Sequence, residues 1–155
     1  MESRLFREYR FKFYINASHS IIINGRQGEV HPHTWEMTLD ILVERNEFME
    51  FNVYEKAAEN FFAKYQDRTL NDIEPFDKLV PTLENIVDYF GTELRSLMRD
   101  VCGELMRIEG SETPTRSYAV SYTRDEEYIS DIREQSDQIL EKLIDDMLDR
   151  VLNKD

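Results

Sequence analysis

The sequence predicts an α+β fold in which helices pack on one face of an antiparallel sheet. Three observations carry this: two stretches of strict hydrophobic alternation near the N-terminus, two stretches of helical periodicity after them, and two short β-type segments that follow the helices. A chain of 155 residues suits one such domain, and 41% hydrophobic with 33% charged residues is the composition of a globular protein rather than a disordered one.

In the first stretch Tyr9, Phe11, Phe13, Ile15 and Ala17 share one parity, and Arg10, Lys12, Tyr14, Asn16 and Ser18 the other. A period of two over this length is a half-buried strand. His19 continues the apolar parity. The second stretch places Trp35, Met37, Leu39, Ile41 and Val43 opposite Thr34, Glu36, Thr38, Asp40 and Glu44, with Leu42 the exception. His31 and His33 extend its apolar side. Asn24-Gly25 between the two is a turn signal, so a long antiparallel hairpin is expected.

Val53, Ala57, Phe61, Phe62 and Tyr65 recur at helical spacing and predict a helix over 53–66. Pro81-Thr82 opens a second helix, with Thr82 as N-cap and Glu84 in the first turn, where the dipole favours an acid. Its stripe is Leu83, Ile86, Val87, Phe90, Leu94, Leu97 and Met98. Two β segments over 101–109 and 115–123 follow, joined by Gly110-Ser111-Glu112-Thr113-Pro114. The order is β-β-α-α-β-β.

Residues 124–155 differ: they hold no Gly, Pro or Cys, and 5 basic residues face 11 acidic ones. Ile129, Ile132, Ile139, Leu140, Leu143, Ile144, Met147, Leu148, Val151 and Leu152 form a helical stripe. About 28 helical residues would span ~42 Å. The chain therefore divides into a domain over 1–123 and an acidic amphipathic helix over 124–155. That helix must pack on its own domain, a sister subunit or another protein.

The net charge of −13 argues against nucleic acid, whose phosphates require a basic face, and equally against anionic membranes. No apolar run approaches the ~20 residues of a membrane span, and Met1-Glu2-Ser3-Arg4 lacks a signal-peptide core. Cys102 is the single cysteine, so no intrachain disulfide can form and a cytoplasmic setting is expected. It falls at the start of the predicted third strand, as a small buried hydrophobe.

All three histidines lie within 18–34. Residues two apart on a strand point the same way, so His31 and His33 project together, and an antiparallel return brings His19 toward them. Two readings stay open at this point. One is three satisfied histidines on an apolar face; the other is three neutral nitrogen ligands with an open fourth position, as a catalytic zinc site requires.

From about Phe11 to Tyr122 the chain resembles the 6-pyruvoyltetrahydropterin synthase family, which includes the 6-carboxytetrahydropterin synthases. Ala17-Ser18-His19 resembles the family's Ala-x-His, and Val30-His31-Pro32-His33 its Leu-His-Gly-His. Met49-Glu50-Phe51 resembles Val-Asp-Phe before the first helix, and Asp67-Arg68-Thr69-Leu70-Asn71 resembles Asp-His-x-x-Leu-Asn. Pro81-Thr82-Leu83-Glu84-Asn85 matches Pro-Thr-x-Glu-Asn, and Glu112-Thr113 the Glu-Thr after the third strand.

The resemblance implies a tunnelling fold, in which subunits join their sheets into a barrel with active sites at subunit interfaces, and hence a homo-oligomer, trimer or hexamer. It implies Zn²⁺ on His19, His31 and His33, and Glu112 as the anchor of a pterin's amino-pyrimidine edge. The implied substrate is 7,8-dihydroneopterin triphosphate or a related small pterin. The chain departs from the family twice: Gln27 stands four residues before His31 where the family has its cysteine base, and Arg68 stands where the Asp67 partner is a histidine. Glu29 is the one nearby acid able to act as base beside Asp67. Arg26 and Arg68, with Gln27, are expected to contact a phosphate-bearing ligand. Three functions follow: a lyase with an unconventional base, an inactive homologue that binds a pterin- or purine-like ligand, and an assembly protein acting through its C-terminal helix.

Overall fold

A computed structural model describes residues 7–43, 52–123 and 126–152. The two alternating stretches form β1 (Glu8–His19) and β4 (His31–Leu42), paired antiparallel from Glu8↔Leu42 through to His19↔His31. The parity holds from Phe11 on: Phe11, Ile15, Ala17, Trp35, Met37, Leu39 and Ile41 are buried and Phe13 is partly so, whereas Tyr9, near the open end of β1, is 45% exposed. The hairpin is not continuous, however. Asn24 and Gly25, both at positive φ, turn a separate ribbon of β2 (Ile22–Ile23) and β3 (Arg26–Gln27). Gly28 N–H donates to Ile21 O at 2.9 Å and pinches this ribbon at its base.

The main sheet runs β5-β1-β4-β6-β7. Strands β6 (Glu104–Thr113) and β7 (Arg116–Ser121) are antiparallel to their neighbours, and the two-residue β5 (Arg68–Thr69) lies parallel to β1. Helices α1 (Asn52–Phe62) and α2 (Leu83–Asp100) cover one face and enclose the core. Thr82 caps α2 as predicted, its Oγ1 accepting from Asn85 N–H at 3.2 Å. The opposite face is tiled by ion pairs, Arg10–Asp40 at 2.7 Å, Lys12–Glu36 at 3.3 Å and Arg107–Glu109 at 2.7 Å. The fully buried Glu104 accepts from Arg95 and Arg99, which ties the C-terminal half of α2 to β6.

Four expectations need correction. The first helix ends at Phe62, where Lys64 and Tyr65 N–H turn back to Phe61 and Phe62 O in tightened turns. Its buried side is rotated by one residue: Tyr54 and Ala58 are buried, while Val53 is exposed and Ala57 only partly covered. The cause is the fit of the Tyr54 ring over Gly103, a tertiary contact that helical spacing cannot reveal. The third strand begins at Glu104, so Cys102 is half-buried in the preceding turn, with φ of 58°. It also runs on to Thr113, which makes Glu112 a strand residue rather than a loop acid.

The C-terminal helix is α3 (Glu126–Leu152). Its first turns are docked: Ile129 is buried against Leu42 and Met106, and Tyr128 Oη donates to Gly103 O at 3.1 Å. This contact explains the parity exception at Leu42. Farther along, Ile144, Met147, Leu148 and Leu152 are 44–76% exposed, so its own domain does not cover that part of the stripe. Glu44, Met49-Glu50-Phe51 and the side chains of Ile132, Ile139, Leu140, Leu143 and Val151 lie outside the described residues.

Helix α2 lies close on β6 at Gly110, where an added Cβ would collide with Val87 Cγ2 and come within 3.1 Å of Met37 Sδ. Gly110→Ala is expected to destabilise the fold by about 1–3 kcal/mol through overpacking, measured by urea unfolding; an unchanged midpoint would mean that α2 and β6 are not in contact there.

Candidate metal centre

Strand pairing does the work of convergence. His19 ends β1 and His31 begins β4 directly across from it, while His33 lies two residues on, opposite Ala17. Because all three share the apolar parity, their rings meet with centroids 4.6, 4.8 and 5.1 Å apart. One potential ligand atom from each falls within 4.8 Å of the others. Trp35, next on the same face, packs edge-on to His19 and His33 at 5.0 and 5.1 Å.

The hydrogen bonds fix which nitrogens are available. His19 Nδ1 lies 2.7 Å from Pro81 O, and His31 Nδ1 lies 3.0 Å from Glu29 O. A carbonyl only accepts, so each Nδ1 carries a proton, and a ring that is neutral turns a bare lone pair outward from Nε2. Those two Nε2 atoms are 3.0 Å apart. Two lone pairs at that distance repel unless a proton or a cation stands between them. Burial pushes the His19 pKa down, against the raising effects of the Pro81 bond and the Glu112 carboxylate, and His31 and His33 add to the lowering. A second proton on His19 is therefore disfavoured. Nitrogens bound to one tetrahedral Zn²⁺ at 2.0–2.1 Å lie about 3.3 Å apart, so the donor set fits such an ion with a small adjustment. His33 completes it, since neither of its ring nitrogens has a hydrogen-bond partner among the described residues.

Two sequence motifs act by holding this arrangement. Asn85 Nδ2 donates to Val80 O at 2.8 Å, and its backbone N–H bonds Thr82, which fixes the loop that aims Pro81 O at His19. Asn71 clamps the residue after His19 from both sides: its Oδ1 accepts from Ser20 N–H at 2.8 Å and its Nδ2 donates to Ser20 O at 2.9 Å. Carbonyl partners on the second nitrogen of a ligand histidine are what orient it toward a metal.

Beside His19 and His31 a cavity of about 280 Å³ is lined by Thr82, Glu84, Glu112, Arg116 and Tyr118, among others. Glu112 sits at a register shift between β6 and β7, where Ser111 faces Ser117 and Thr113 faces Arg116. A bulge of this kind re-aims a side chain, which here lets Glu112 and Arg116 line both this cavity and a neighbouring one.

The remaining predicted residues stand elsewhere. Glu29 is exposed, and it is its carbonyl that touches His31. Gln27 Nε2 donates to the buried Ser20 Oγ at 3.0 Å. Asp67, at φ of 57°, gives its backbone N–H to Asn16 O, and Arg68 extends the edge strand on Ala17. None of these four, nor Arg26, lines the cavity beside the histidines. Sequence reasoning missed Arg116 and Tyr118, which carry no motif of their own, and read Thr82 and Glu84 as helix cap and family motif without a place in the site.

Residues 8–125 match the family model of 6-pyruvoyl tetrahydropterin synthase. No curated protein matches the chain by sequence. Among solved structures it is similar to the Caenorhabditis elegans 6-pyruvoyl tetrahydropterin synthase, with 18% identity and a TM-score of 0.66 over 79% of this chain and 100% of that one. It is likewise similar to an uncharacterised protein from Wolinella succinogenes (14%, 0.60, 77% and 100%) and to the Plasmodium falciparum 6-pyruvoyl tetrahydropterin synthase (16%, 0.58, 77% and 99%). At these identities the structural likeness establishes the tunnelling fold.

Trp35 is the single tryptophan, so it reports directly on the triad. Titration with Co²⁺ or Cu²⁺ is expected to quench its fluorescence at one ion per chain, with loss of the ion below about pH 6 as protons compete for the imidazoles. His31→Ala is expected to abolish the saturable quench; an identical quench in that variant would place the ion elsewhere.

Proposed function

Since the chain belongs to the 6-pyruvoyl tetrahydropterin synthase family, we propose that it holds Zn²⁺ on His19, His31 and His33 and binds dihydroneopterin triphosphate or a closely related pterin in the adjoining cavity. In this role the zinc would act as a Lewis acid toward the hydroxyl oxygens of the ligand side chain. Glu112 would accept two N–H groups from the amino-pyrimidine edge in a bidentate arrangement, which fixes the ring. Arg116 is the one Lys or Arg lining that cavity and has no side-chain partner among the described residues, so it would meet an anionic substituent. Glu84 and Tyr118 would close the wall, the latter held by its hydroxyl on Asp88 at 2.9 Å.

The observation that carries this reading is the pair of carbonyl-oriented histidines beside a cavity that also holds Glu112. Binding is favoured over turnover because Gln27 cannot ionise, and Asp67 and Arg68, whose backbones pair with the end of β1, do not line the cavity beside the histidines. The lyase reading rests on Glu29, the acid whose backbone carbonyl holds His31 Nδ1 and whose exposed carboxylate would have to turn toward the opposite side of the ring to act as base. We further propose a cytoplasmic homo-oligomer, as the resemblance implies; among the described residues no helix is long and apolar enough to cross a membrane.

Calorimetry of the zinc-loaded protein is expected to show stoichiometric pterin binding that Glu112→Gln weakens by about tenfold or more, the loss of one charged bidentate contact. Under the same conditions dihydroneopterin triphosphate should persist. Turnover that Glu29→Gln suppresses would replace the binding reading with the lyase, and failure of any pterin to bind would end both.

A further inference from the structure

Residues 20–30 are the whole connection between two of the candidate ligands, since they follow His19 and precede His31. Burial does not hold this segment. Ile22 and Ile23 are 55 and 59% exposed, and every residue from Ile22 to Val30 is exposed within this chain. Polar ties at the base of the ribbon fix it instead. Gly28 N–H donates to Ile21 O at 2.9 Å, and Gln27 Nε2 donates to Ser20 Oγ at 3.0 Å. Ser20 is 2% exposed, and Asn71 takes both its backbone N–H and its carbonyl. Gln27 stands across the ribbon from Ile22, so Ser20, two residues before Ile22, is its diagonal neighbour. The hydroxyl of Ser20 is thus the group by which the strand arriving from His19 is held to the strand leaving for His31.

We propose that Gln27 is a positioning residue for the metal centre: by holding Ser20 it sets the separation and aim of His19 and His31, and it does not itself touch a ligand. The proposal rests on the zinc reading given above and adds to it a residue outside the donor set. Ser20 is the covalent neighbour of His19. On the other strand Gln27 leads through Gly28 to Glu29, whose carbonyl accepts the His31 Nδ1–H at 3.0 Å. The bond between Gln27 and Ser20 therefore joins the two backbones within a few residues of both rings. With this tie made, the connection is already closed when an ion arrives. Without it, closing the exposed segment is an entropic cost that falls on metal binding. The two ends of the tie are unequal. An exposed amide regains water when the bond is lost, whereas the buried hydroxyl is left short of a donor. The chemistry of the side chain also suits the task. A carboxamide stays neutral and keeps its donor at every working pH. A thiol at this position would end two bonds nearer the backbone and is a weak donor, so it does not make the tie. The exchange of a base for an amide at Gln27 thus has a structural use in this chain.

Co²⁺ titration of the full chain at neutral pH, followed by quenching of Trp35, tests this role. Gln27→Met keeps the length of the side chain without the amide, and Gln27→Asn keeps the amide on a shorter stem. Each should weaken Co²⁺ binding about tenfold, the lower end of what removing a side chain that orients a metal ligand does. Ser20→Ala should weaken it to a similar degree, and adding Gln27→Met to Ser20→Ala should weaken it no further, because the two groups act through one bond. Urea unfolding of the metal-free variants, read by circular dichroism, separates positioning from stability. A lowered midpoint with the Co²⁺ affinity of the folded protein unchanged means a purely structural tie and overturns the proposal. Equal affinity in the wild type and both Gln27 variants overturns it as well, and so does an additive double variant. A wild-type chain that binds no Co²⁺ is a separate result: it ends the zinc reading itself, and this role with it.

Discussion

Two imidazole nitrogens held 3.0 Å apart, which repel when both rings are neutral, form the constraint around which this protein is organised. Neither ring can turn away cheaply, because the opposite nitrogen of each is committed to a backbone carbonyl. Burial opposes relief by protonation on the His19 side. The neighbourhood thus carries a standing electrostatic cost that a divalent cation would remove. His33 stands ready as the third donor. The buried Trp35 indole braces two of the rings even though its own Nε1–H has no partner among the described residues, a cost of about 1–3 kcal/mol that such packing must offset.

Much of the surrounding sequence is explained by that one junction. The segment from Gln66 to Asn71 lies along the end of β1 as an edge: Gln66 bonds the backbone of Tyr14 and Asn16, Arg68 and Thr69 pair with Ala17 and Ser18, and Asn71 holds Ser20. Residues that the family resemblance assigns to proton transfer here keep the strand straight up to His19. The Pro-Thr-x-Glu-Asn run does the same from the other side by presenting Pro81 O. The histidines of this chain are thus oriented by backbone carbonyls and the loops that present them, with no contribution from a thiol or an Asp–His pair.

The fold was readable because period-two parity survives folding: it put His19, His31 and His33 on the buried side of paired strands before any coordinates. Helix faces were less readable. The choice between Val53 with Ala57 and Tyr54 with Ala58 turns on where Gly103 leaves room, and that residue is far away in sequence. Glu112 was found through a motif, yet its placement at a register shift in β6 depends on pairing with β7. Arg116 left no signal, since a lone arginine after a turn is ordinary until two cavities are seen to share it. The C-terminal stripe was evident in the sequence, whereas its split into a docked start and an uncovered remainder needed the contact of Ile129 with Leu42 and Met106.

The claim that a cation resolves the meeting of the histidines is tested most directly by zinc-edge X-ray absorption on the purified, zinc-loaded full chain. The account predicts a first shell containing three imidazole nitrogens at about 2.0–2.1 Å, with one non-protein oxygen in the remaining position. A shell made of carboxylate oxygens or sulfur, or zinc that washes out without any imidazole scattering, would contradict it.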